Sequence, residues 1–390
     1  PFIVFANTEV YNFKGQIWLF NENNGQGFNL RIDHHVDSQN NLYDIKRLKI
    51  VTDTPAPGDV NLSLASKKHS SITEFKIINL PSGVSLSLAA PAINVNTNKF
   101  DLFIGRHAAL YSAAFILRDV FTLEKDFAPD ELEVLQLKKF DAENTAAFLF
   151  ADRLENGSGF AEELAKNASI YIEKCISNTS DSAYIKNLFI LGKNSDTADY
   201  SNLFNYKNSR FHPILDWRLG ISCLKLMMDK NYADSLINYV DLANPELCDF
   251  YNETTFAKGF KKLLKEFVTN SGLNGDVTLV NNIPIFQYND NTGYIIGIHP
   301  LWDINNPQGN LKKLLDSLDS QHIKFIDSFN LLRRSGQCKE YLESIKFRPA
   351  SSFNTINNNN PSMPLTNCNI ISESTKQTKS TSRGRGPLGN

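Results

Sequence analysis

Apolar and polar residues alternate over short stretches in the first hundred positions, and this alternation predicts β-strands. Asn, Gly and Pro residues separate the stretches, and NENNGQG at 21–27 gives the strongest turn signal. The sequence therefore predicts a β-rich domain over residues 1–100. Its predicted strands lie at 16–20, 28–32, 47–51, 60–64 and 84–88.

The pattern then changes to the 3.6-residue period of an amphipathic helix, which we expect over 106–121. Further on, AAFLFA at 146–151 predicts a buried strand, a glycine loop follows at 152–160, and another helix starts near Gly159. We assign these elements to a central domain over residues 101–235, built around the order strand, glycine loop, helix.

The C-terminal third mixes both kinds of signal and predicts an α/β domain over residues 236–345. The tail at 346–390 is rich in Asn, Ser and Thr and poor in apolar residues, so we expect it to be disordered. The resulting fold class is mixed α+β. The C-terminal predictions are helices at 256–268 and 311–318 and strands at 277–280, 283–287, 294–298 and 324–326.

Composition narrows the class of protein. The 390 residues are 42% hydrophobic and 21% charged, as in a soluble globular protein. The net charge is −2, so any contact with nucleic acid must come from local patches. No apolar run approaches the roughly 18 residues of a membrane span, and the first residues do not resemble a signal peptide. Five scattered cysteines without a CxxC indicate a reducing, cytoplasmic setting. Because the chain starts at Pro1, we expect a preceding portion to be missing.

The glycine loop ADRLENGSGFAEEL at 151–164 has two interpretations. Its backbone N–H groups could face a phosphate, with Gly157 and Gly159 allowing close approach. Alternatively, Asp152, Asn156 and the two glycines form a tight structural turn. No Lys-Ser/Thr follows, so this is not a Walker A loop, and the structural turn is favoured.

The segment RFHPILDWRLG at 210–220 predicts a helix opened by Pro213. On such a helix His212 and Asp216 would be i, i+4 neighbours, able to pair and to perform acid–base chemistry. The structural alternative, which we favour, is that the pair fixes the start of the helix. Trp217 would then lie in the core and Arg218 would bridge to a carboxylate.

Two regions offer candidate contacts to DNA. Lysines on one broad face of the helix at 256–268 could release counterions from a phosphate backbone, or could simply be solvated. Near the predicted C-terminal strand ends, an indole could stack on a base and two arginines could supply charge, or all three could hold the domain together. The candidates are Lys258, Lys261, Lys262, Lys265, Trp302, Arg333 and Arg334.

Several enzyme motifs are absent from the sequence. GxxxxGK[ST], a DExH-type box, HExxH and G-x-S-x-G do not occur, so we expect no ATPase activity in this chain. Asp303 and Asp327 are available to a metal-dependent nuclease, but they form no convincing cluster. The cluster Asp33-His34-His35 lacks a second ligand set at metal-binding spacing and is interpreted as a surface turn.

Six blocks in order resemble the helicase-associated MZB zinc-binding domain, over about residues 45–340. That domain occurs at the C-terminus of some DEAD/DEAH helicases and in DrmB, the partner of a helicase in the DISARM phage-defence system. LENGSG and HPILDWRLG look closest to the DrmB-like branch. The blocks are TDTPAPGDVNLSL, HAALYSAAFILRD, FLFADRLENGSGFAEEL, HPILDWRLG, IHPLWD and FIDSFNLLRR.

The resemblance implies a zinc site with four cysteines, and this chain departs from it. Asp199 and Asn202 stand where the family carries its CxxC, and Cys175 corresponds to the first cysteine. Because structural zinc needs four good ligands, we expect the metal to be lost, with no cofactor in its place.

The sequence is compatible with three functions. The leading hypothesis is a non-motor accessory module that binds single-stranded DNA beside a DEAD/DEAH-box helicase, fused or separate, in antiviral defence. The alternative is a scaffold that binds only the helicase and never contacts DNA. A metal-dependent nuclease is the least favoured.

Overall fold

Long antiparallel pairing organises the N-terminal part of this computed structural model. Strands β2 and β6 pair along their whole length, from Thr8 opposite Ile77 to Asn21 opposite Leu64. The first sheet has the order β1-β2-β6-β9-β7, β8 also pairs with β9, and every pairing is antiparallel. Its strands are β1 (Phe2–Phe5), β2 (Thr8–Asn21), β6 (Leu64–Ile77), β7 (Leu132–Val134), β8 (Lys138–Lys139) and β9 (Ala146–Asp152).

A small second sheet lies between β2 and β6 in the chain. It has the order β4-β3-β5, formed by β3 (Phe28–Ile32), β4 (Leu48–Ile50) and β5 (Val60–Leu62).

The structure describes residues 2–21, 28–32, 48–50, 60–62, 64–88, 101–139, 145–176, 183–192, 195–238, 251, 253–290, 293–318, 322–344 and 348–349. Three predictions fall largely or wholly outside these residues. They are the turn at 21–27, of which only Asn21 is described, the cluster Asp33-His34-His35, and the tail, of which only 348–349 is described.

A buried helix covers one face of the first sheet. Helix α1 (Ile104–Glu124) is buried from Ile104 to Thr122, because it packs between the sheet and helix α5 (Trp217–Met228). Gly220 allows the two helices to approach closely, since a Cβ there would lie 2.8 Å from the Cβ of Ser112. The remaining central helices are α2 (Phe160–Lys166), α3 (Ala168–Ile176), α4 (Ala183–Gly192) and α6 (Tyr232–Asn238).

The C-terminal sheet contains the one parallel pair seen among the described strands. Its order is β10-β11-β12-β13-β14, and β12 runs parallel to β13 through a crossover that includes helix α8 (Gly309–Ser317). Parallel neighbours need such a crossover connection. The strands are β10 (Gly275–Val280), β11 (Ile283–Tyr288), β12 (Tyr294–Ile298), β13 (His322–Asp327) and β14 (Arg348–Pro349). The helices are α7 (Phe256–Asn270), α9 (Ser328–Arg333) and α10 (Ser335–Ser344).

The larger hydrophobic core runs through the first sheet, the C-terminal sheet and the helices. It extends from Val10 on β2 to Leu342 on α10, within a compact unit that covers Pro1–Thr355. The predicted mixed α+β fold class is confirmed. The predicted boundaries at 100 and 235 stay predictions, although β9, from the predicted central domain, completes the N-terminal sheet.

Two of the differences between the local pattern and the observed structure lie at 84–88 and near Pro213. The predicted strand at 84–88 forms only a single bridge, from Val84 to Trp302. The helix predicted to open at Pro213 begins later, because residues Tyr206–Ile214 form a 3-10 helix and Asp216 then caps α5 by accepting a hydrogen bond from the Leu219 N–H.

Candidate nucleic-acid interface

Helix α7 presents a charged face because its opposite face is anchored in the core. Thr255 caps the helix by accepting a hydrogen bond from the backbone N–H of Lys258 at 3.3 Å. The apolar side packs against strands β10 and β11. A Cβ at Gly297 on β12 would lie 2.9 Å from the Phe260 ring, so helix and strand are in close contact. The buried residues are Phe256, Ala257, Gly259, Phe260, Leu263, Leu264, Phe267 and Val268.

The opposite side of α7 carries a group of lysines that we call the lysine face. Lys258, Lys262 and Lys265 are exposed and Lys261 is half-buried. In the part of the chain that the structure describes, none of the four forms an ion pair. Their positive charge is therefore not neutralised by a carboxylate of the described fold.

Contacts at the edge of the lysine face are weak ones. The Lys262 ammonium lies 5.5 Å from the centroid of the Tyr251 ring. Glu266, the acidic residue nearest in sequence, accepts a hydrogen bond from the Tyr251 hydroxyl, and this bond is the main reason that the pKa of Tyr251 rises to about 12. Glu266 thus binds the tyrosine hydroxyl and forms no ion pair with a lysine of this face among the described residues, although it keeps its negative charge.

Trp302 is not a surface platform, which corrects the expectation that it stacks on a base. Its side chain is 2% exposed, and the indole N–H donates to the Leu236 carbonyl at 3.1 Å. Val84 pairs with the backbone of Trp302 from the other side. A ring fixed inside the core cannot reach a nucleic-acid base.

The two predicted arginines lie at the end of α9 and are half-buried. Arg333 donates to the carbonyls of Ala198 and Leu215 at 3.3 and 3.4 Å, and its guanidinium lies 5.8 Å from the centroid of the Phe204 ring. Partial burial lowers the pKa of Arg333. Arg333 therefore joins α9 to the segment before α5, and the lysine face is the more accessible cationic surface.

The glycine loop is a structural turn in which one carboxylate takes the place of a phosphate. Asp152 at the end of β9 is fully buried, and its two oxygens accept hydrogen bonds from the backbone N–H groups of Gly159 and Ala161, both at 2.8 Å. A carboxylate is favoured at the start of a helix for the same reasons as a phosphate. These donors of α2 are consequently occupied.

The glycines of this loop are required by backbone conformation and by space. Gly157 and Gly159 have φ values of +88° and +90°, where a side chain is strained. A Cβ at Gly157 would also lie 2.9 Å from Oδ2 of Asp152. Asn156 has φ +68°, and its N–H donates to the His69 carbonyl at 2.8 Å, so the loop is fastened onto β6.

His212 and Asp216 do not form the predicted pair. His212 Nε2 lies 3.0 Å from the Asn205 carbonyl oxygen and 2.9 Å from Asn208 Oδ1, within the 3-10 helix segment. Asp216 belongs to the start of α5, and burial raises its pKa to about 6. Since the two side chains bind different partners, the structure gives no support to an acid–base pair.

Trp217 and Arg218 hold the start of α5 in place. Trp217 is fully buried, and its indole N–H donates to the Gly192 carbonyl at 3.2 Å. Arg218 donates to the Ser195 and Asp196 carbonyls at 2.6 and 3.2 Å, and its guanidinium lies 4.5 Å from the Trp217 ring. These arginine bonds go to backbone carbonyls, and the predicted bridge from Arg218 to a carboxylate stays a prediction.

The residues at the expected zinc positions do not fit a zinc ion. Asp199 Oδ1 accepts hydrogen bonds from the Ser201 N–H and from the Asn202 amide, the latter at 3.0 Å. Asn202 Oδ1 accepts in return from the Asp199 N–H at 3.0 Å. Cys175 lies in the core, where burial above all, and Asp119 secondarily, raise the pKa of its thiol well above the usual range. Zinc prefers thiolates.

Asp303 and Asp327 follow the two parallel strands, at the edge where α/β enzymes usually bind ligands. Here the edge is covered by the start of α1. Arg106 donates to the Trp302 and Ser87 carbonyls at 3.0 and 3.1 Å. A Cβ at Gly105 would lie 2.5 Å from the Cβ of Pro300, which shows how closely α1 approaches.

The charges at this edge stabilise one another inside the fold. Burial lowers the pKa of Arg106 to about 10, and Asp303 is the strongest of the carboxylates that oppose the shift. Burial raises the pKa of Asp327 to about 6, and this side chain caps α9 by accepting from the Asn330 N–H at 2.9 Å. Burial also lowers the pKa of His299 to about 3. The cluster is internal, and the nuclease hypothesis gains no support.

Two kinds of feature are absent from the residues that the structure describes. Within them, no three His, Cys, Asp or Glu side chains are grouped so as to hold a metal ion. No helix of the described segments is both long and apolar enough to cross a membrane.

Comparison with known proteins adds little. No protein-family model matches the chain, and no curated protein matches it. Among solved structures, the chain is similar to the crystal structure of the DUF1998 helicase MrfA bound to DNA, with 12% identity over 58% of this chain and 23% of that chain. The chain thus matches less than a quarter of that helicase. The TM-score of 0.31 is too low for the likeness to establish a shared fold or to support a function.

Proposed function

We propose that this chain is a non-motor accessory module that binds single-stranded DNA through the lysine face of α7, beside a DEAD/DEAH-box helicase motor in phage defence. The observation that carries the DNA half is the lysine face itself. Four lysines share a helix that is anchored in the core, and none is paired with a carboxylate of the described residues.

Counterion release gives this surface its affinity for a nucleic acid. Each lysine that neutralises a phosphate of a single strand changes the slope of log affinity against log salt by roughly −0.7. A contact of this kind reads the backbone and not the bases, so the lysine face binds without preference for sequence. Strand recognition of any finer kind must come from another surface.

The helicase half of the proposal rests on the sequence resemblance. The ordered blocks from TDTPAPGDVNLSL to FIDSFNLLRR resemble the helicase-associated MZB domain, and LENGSG and HPILDWRLG look closest to its DrmB-like branch. The chain itself carries no nucleotide-hydrolysis motif, so the motor is supplied by another domain or subunit. Zinc has no part in the proposal, because the residues at the expected positions do not fit the metal.

Charge reversal on two helices tests the DNA contact. The variant Lys262→Glu/Lys265→Glu changes the lysine face, and Lys312→Glu/Lys313→Glu makes the same change of charge at exposed positions of α8. Binding of a labelled single-stranded oligonucleotide is measured by fluorescence anisotropy at several salt concentrations. We expect the α7 variant to lose about tenfold or more in affinity at low salt and the slope to become shallower by roughly 1.4.

The matched variant separates a specific site from a general effect of charge. Lys312→Glu/Lys313→Glu should change affinity by less than about threefold, as expected for charges outside the contact. Equal losses in both variants would contradict the assignment to the lysine face. A chain that shows no affinity for DNA at low salt yet binds a helicase motor is the scaffold of the alternative hypothesis.

A further inference from the structure

The turn that replaces the zinc ligands carries an ordered group of aromatic rings. Phe204 and His212 are stacked with centroids 4.0 Å apart and planes within 3°. Tyr200 meets both rings edge-on, at 5.8 Å from Phe204 and 5.3 Å from His212. Tyr206 is the first residue of the 3-10 helix that also carries His212. We call Tyr200, Phe204, Tyr206 and His212 the aromatic turn.

Two of these rings are unusually exposed for their size. The side chains of Tyr200 and Tyr206 are 73% and 88% exposed, more than any other large hydrophobic residue of the described chain. A tyrosine in the core would bury most of its ring and gain the corresponding hydrophobic free energy. Exposed aromatic residues are also typical of surfaces that bind a partner.

Their exposure is not the result of a loose turn. The side chains and N–H groups of Asn205 and Asn208 bond reciprocally at 3.0 and 2.9 Å, and the Asn208 amide also donates to the Leu203 carbonyl at 3.0 Å. His212 is held by Asn205 and Asn208. Asp199 and Asn202 close the preceding turn. The backbone is thus fixed, and a ligand would bind without first ordering it.

Two arginines lie beside the aromatic turn. Arg210 is exposed on the same 3-10 helix, and the guanidinium of Arg333 lies 5.8 Å from the Phe204 centroid. Lys207 forms an ion pair with Asp130, so that carboxylate is already neutralised. The carboxylate of Asp199 accepts hydrogen bonds from its own turn.

We propose that the aromatic turn is a base-stacking platform for single-stranded nucleic acid, with bases on Tyr200 and Tyr206 and a phosphate near Arg210. Exposed rings beside cationic side chains are the combination with which proteins hold unpaired bases, because every base has a face that stacks on an aromatic ring. The platform deepens the proposed function, since it supplies the contact to bases that the lysine face lacks. It also occupies the role that buried Trp302 cannot fill.

The test compares oligonucleotides with and without bases. Affinity for oligothymidylate is measured against an abasic strand of equal length, in the wild-type chain, Tyr206→Ala and Tyr200→Ala/Tyr206→Ala. Each ring that stacks contributes roughly 5- to 150-fold in affinity. We therefore expect the double variant to lose at least about tenfold for oligothymidylate and less than about twofold for the abasic strand.

Conservative and matched variants separate stacking from folding. Tyr200→Phe/Tyr206→Phe keeps both rings and should bind like the wild type. Leu154→Ala/Ile190→Ala removes two other side chains that are 60% and 64% exposed, and should not change binding. Tyr206→Ala touches the more exposed ring alone and keeps Tyr200 against Phe204 and His212, so its partial loss supports the platform even if the double variant unfolds.

Failure of the platform differs from failure of the proposed function. If alanine leaves the preference for oligothymidylate unchanged, or lowers both affinities equally, the platform is overturned. A loss of helicase binding without any change in oligonucleotide binding overturns it in favour of a protein partner. The lysine variant Lys262→Glu/Lys265→Glu should instead weaken both strands alike, because it acts on phosphates.

Discussion

Charged side chains gather in two regions of this protein, and the regions use them in opposite ways. At the carboxyl ends of β12 and β13, Arg106, Asp303 and Asp327 are buried. On α7 the lysine face is largely exposed, and no carboxylate of the described chain pairs with it. The first region holds α1 against the C-terminal sheet, and the second is available to an external anion.

The difference between the two regions shows that residue type alone does not distinguish a binding site from a structural contact. The carboxyl ends of parallel strands are a usual place for ligand binding, yet here α1 fills the space in front of them. Lysines on a helix are usually solvated, and here no carboxylate of the described residues pairs with them, so their charge is available to an external anion. A charged group is a candidate binding residue only when the fold has not already given it a hydrogen-bond or ion-pair partner.

The largest effect is expected from removing the buried arginine. Arg106→Met removes the guanidinium that donates to the Ser87 and Trp302 carbonyls, and with it the positive charge that interacts with Asp303. Breaking a buried charge arrangement in this way costs roughly 3–5 kcal/mol. Urea unfolding should show this loss, whereas Arg210→Met at an exposed position should cost less than about 0.5 kcal/mol. Equal small effects would mean that Arg106 is not a structural residue.

A smaller loss is expected at the glycine turn. Asp152→Ala removes the acceptor of the Gly159 and Ala161 N–H groups, and unsatisfied buried donors cost about 1–3 kcal/mol. Glu155→Ala, an exposed neighbour in the same loop, is the control. If a phosphate rather than Asp152 were the natural partner of these donors, the alanine variant would bind inorganic phosphate and be stabilised by it.

The pH dependence of stability tests the burial of His299. Its pKa lies near 3 in the folded chain and near 6.5 when unfolded, so its contribution to stability is present above pH 6.5 and is lost as the pH falls. His299→Gln should remove this dependence, by about 1 kcal/mol between pH 7 and 5.5. Burial raises the pKa of Asp216 and Asp327 to about 6, so these two carboxyl groups favour the folded state as the pH falls, opposite to His299. Both groups are present in the wild type and in His299→Gln, so their contribution cancels when the two are compared.

The smallest effect on stability is expected where the effect on binding is largest. Lys262→Glu/Lys265→Glu should change the free energy of unfolding by less than about 0.5 kcal/mol, because exposed charges contribute little to folding. Differential scanning fluorimetry gives the unfolding temperature of this variant beside the wild type. A marked destabilisation would show that these lysines hold the fold together and would remove the contrast between the two regions.

Sequence patterns predict the elements whose signal is local. The apolar stripe of Phe256–Asn270, strand Tyr294–Ile298 and the glycine turn were all expected at or near their observed positions. Helical periodicity and turn residues act over a few positions, so the chain shows them directly. The α+β class follows from the same signals.

Features that depend on distant partners could not be predicted in this way. Strand Leu64–Ile77 exists because it pairs with β2 and β9, and its own sequence is too polar to indicate a strand. Trp302 is buried because its indole binds the Leu236 carbonyl, 66 positions away. The sequence does not indicate the aromatic turn, because the rings of Tyr200 and Phe204 contact that of His212 only once the 3-10 helix has formed.

The salt dependence of single-stranded DNA binding by the wild-type chain tests the central claim most directly. Four lysines acting on phosphates predict a line of log affinity against log salt with a slope of about −3. A slope near that value, made shallower by Lys262→Glu/Lys265→Glu, is the expected result. No binding at low salt, or a slope that the variant leaves unchanged, would contradict the account.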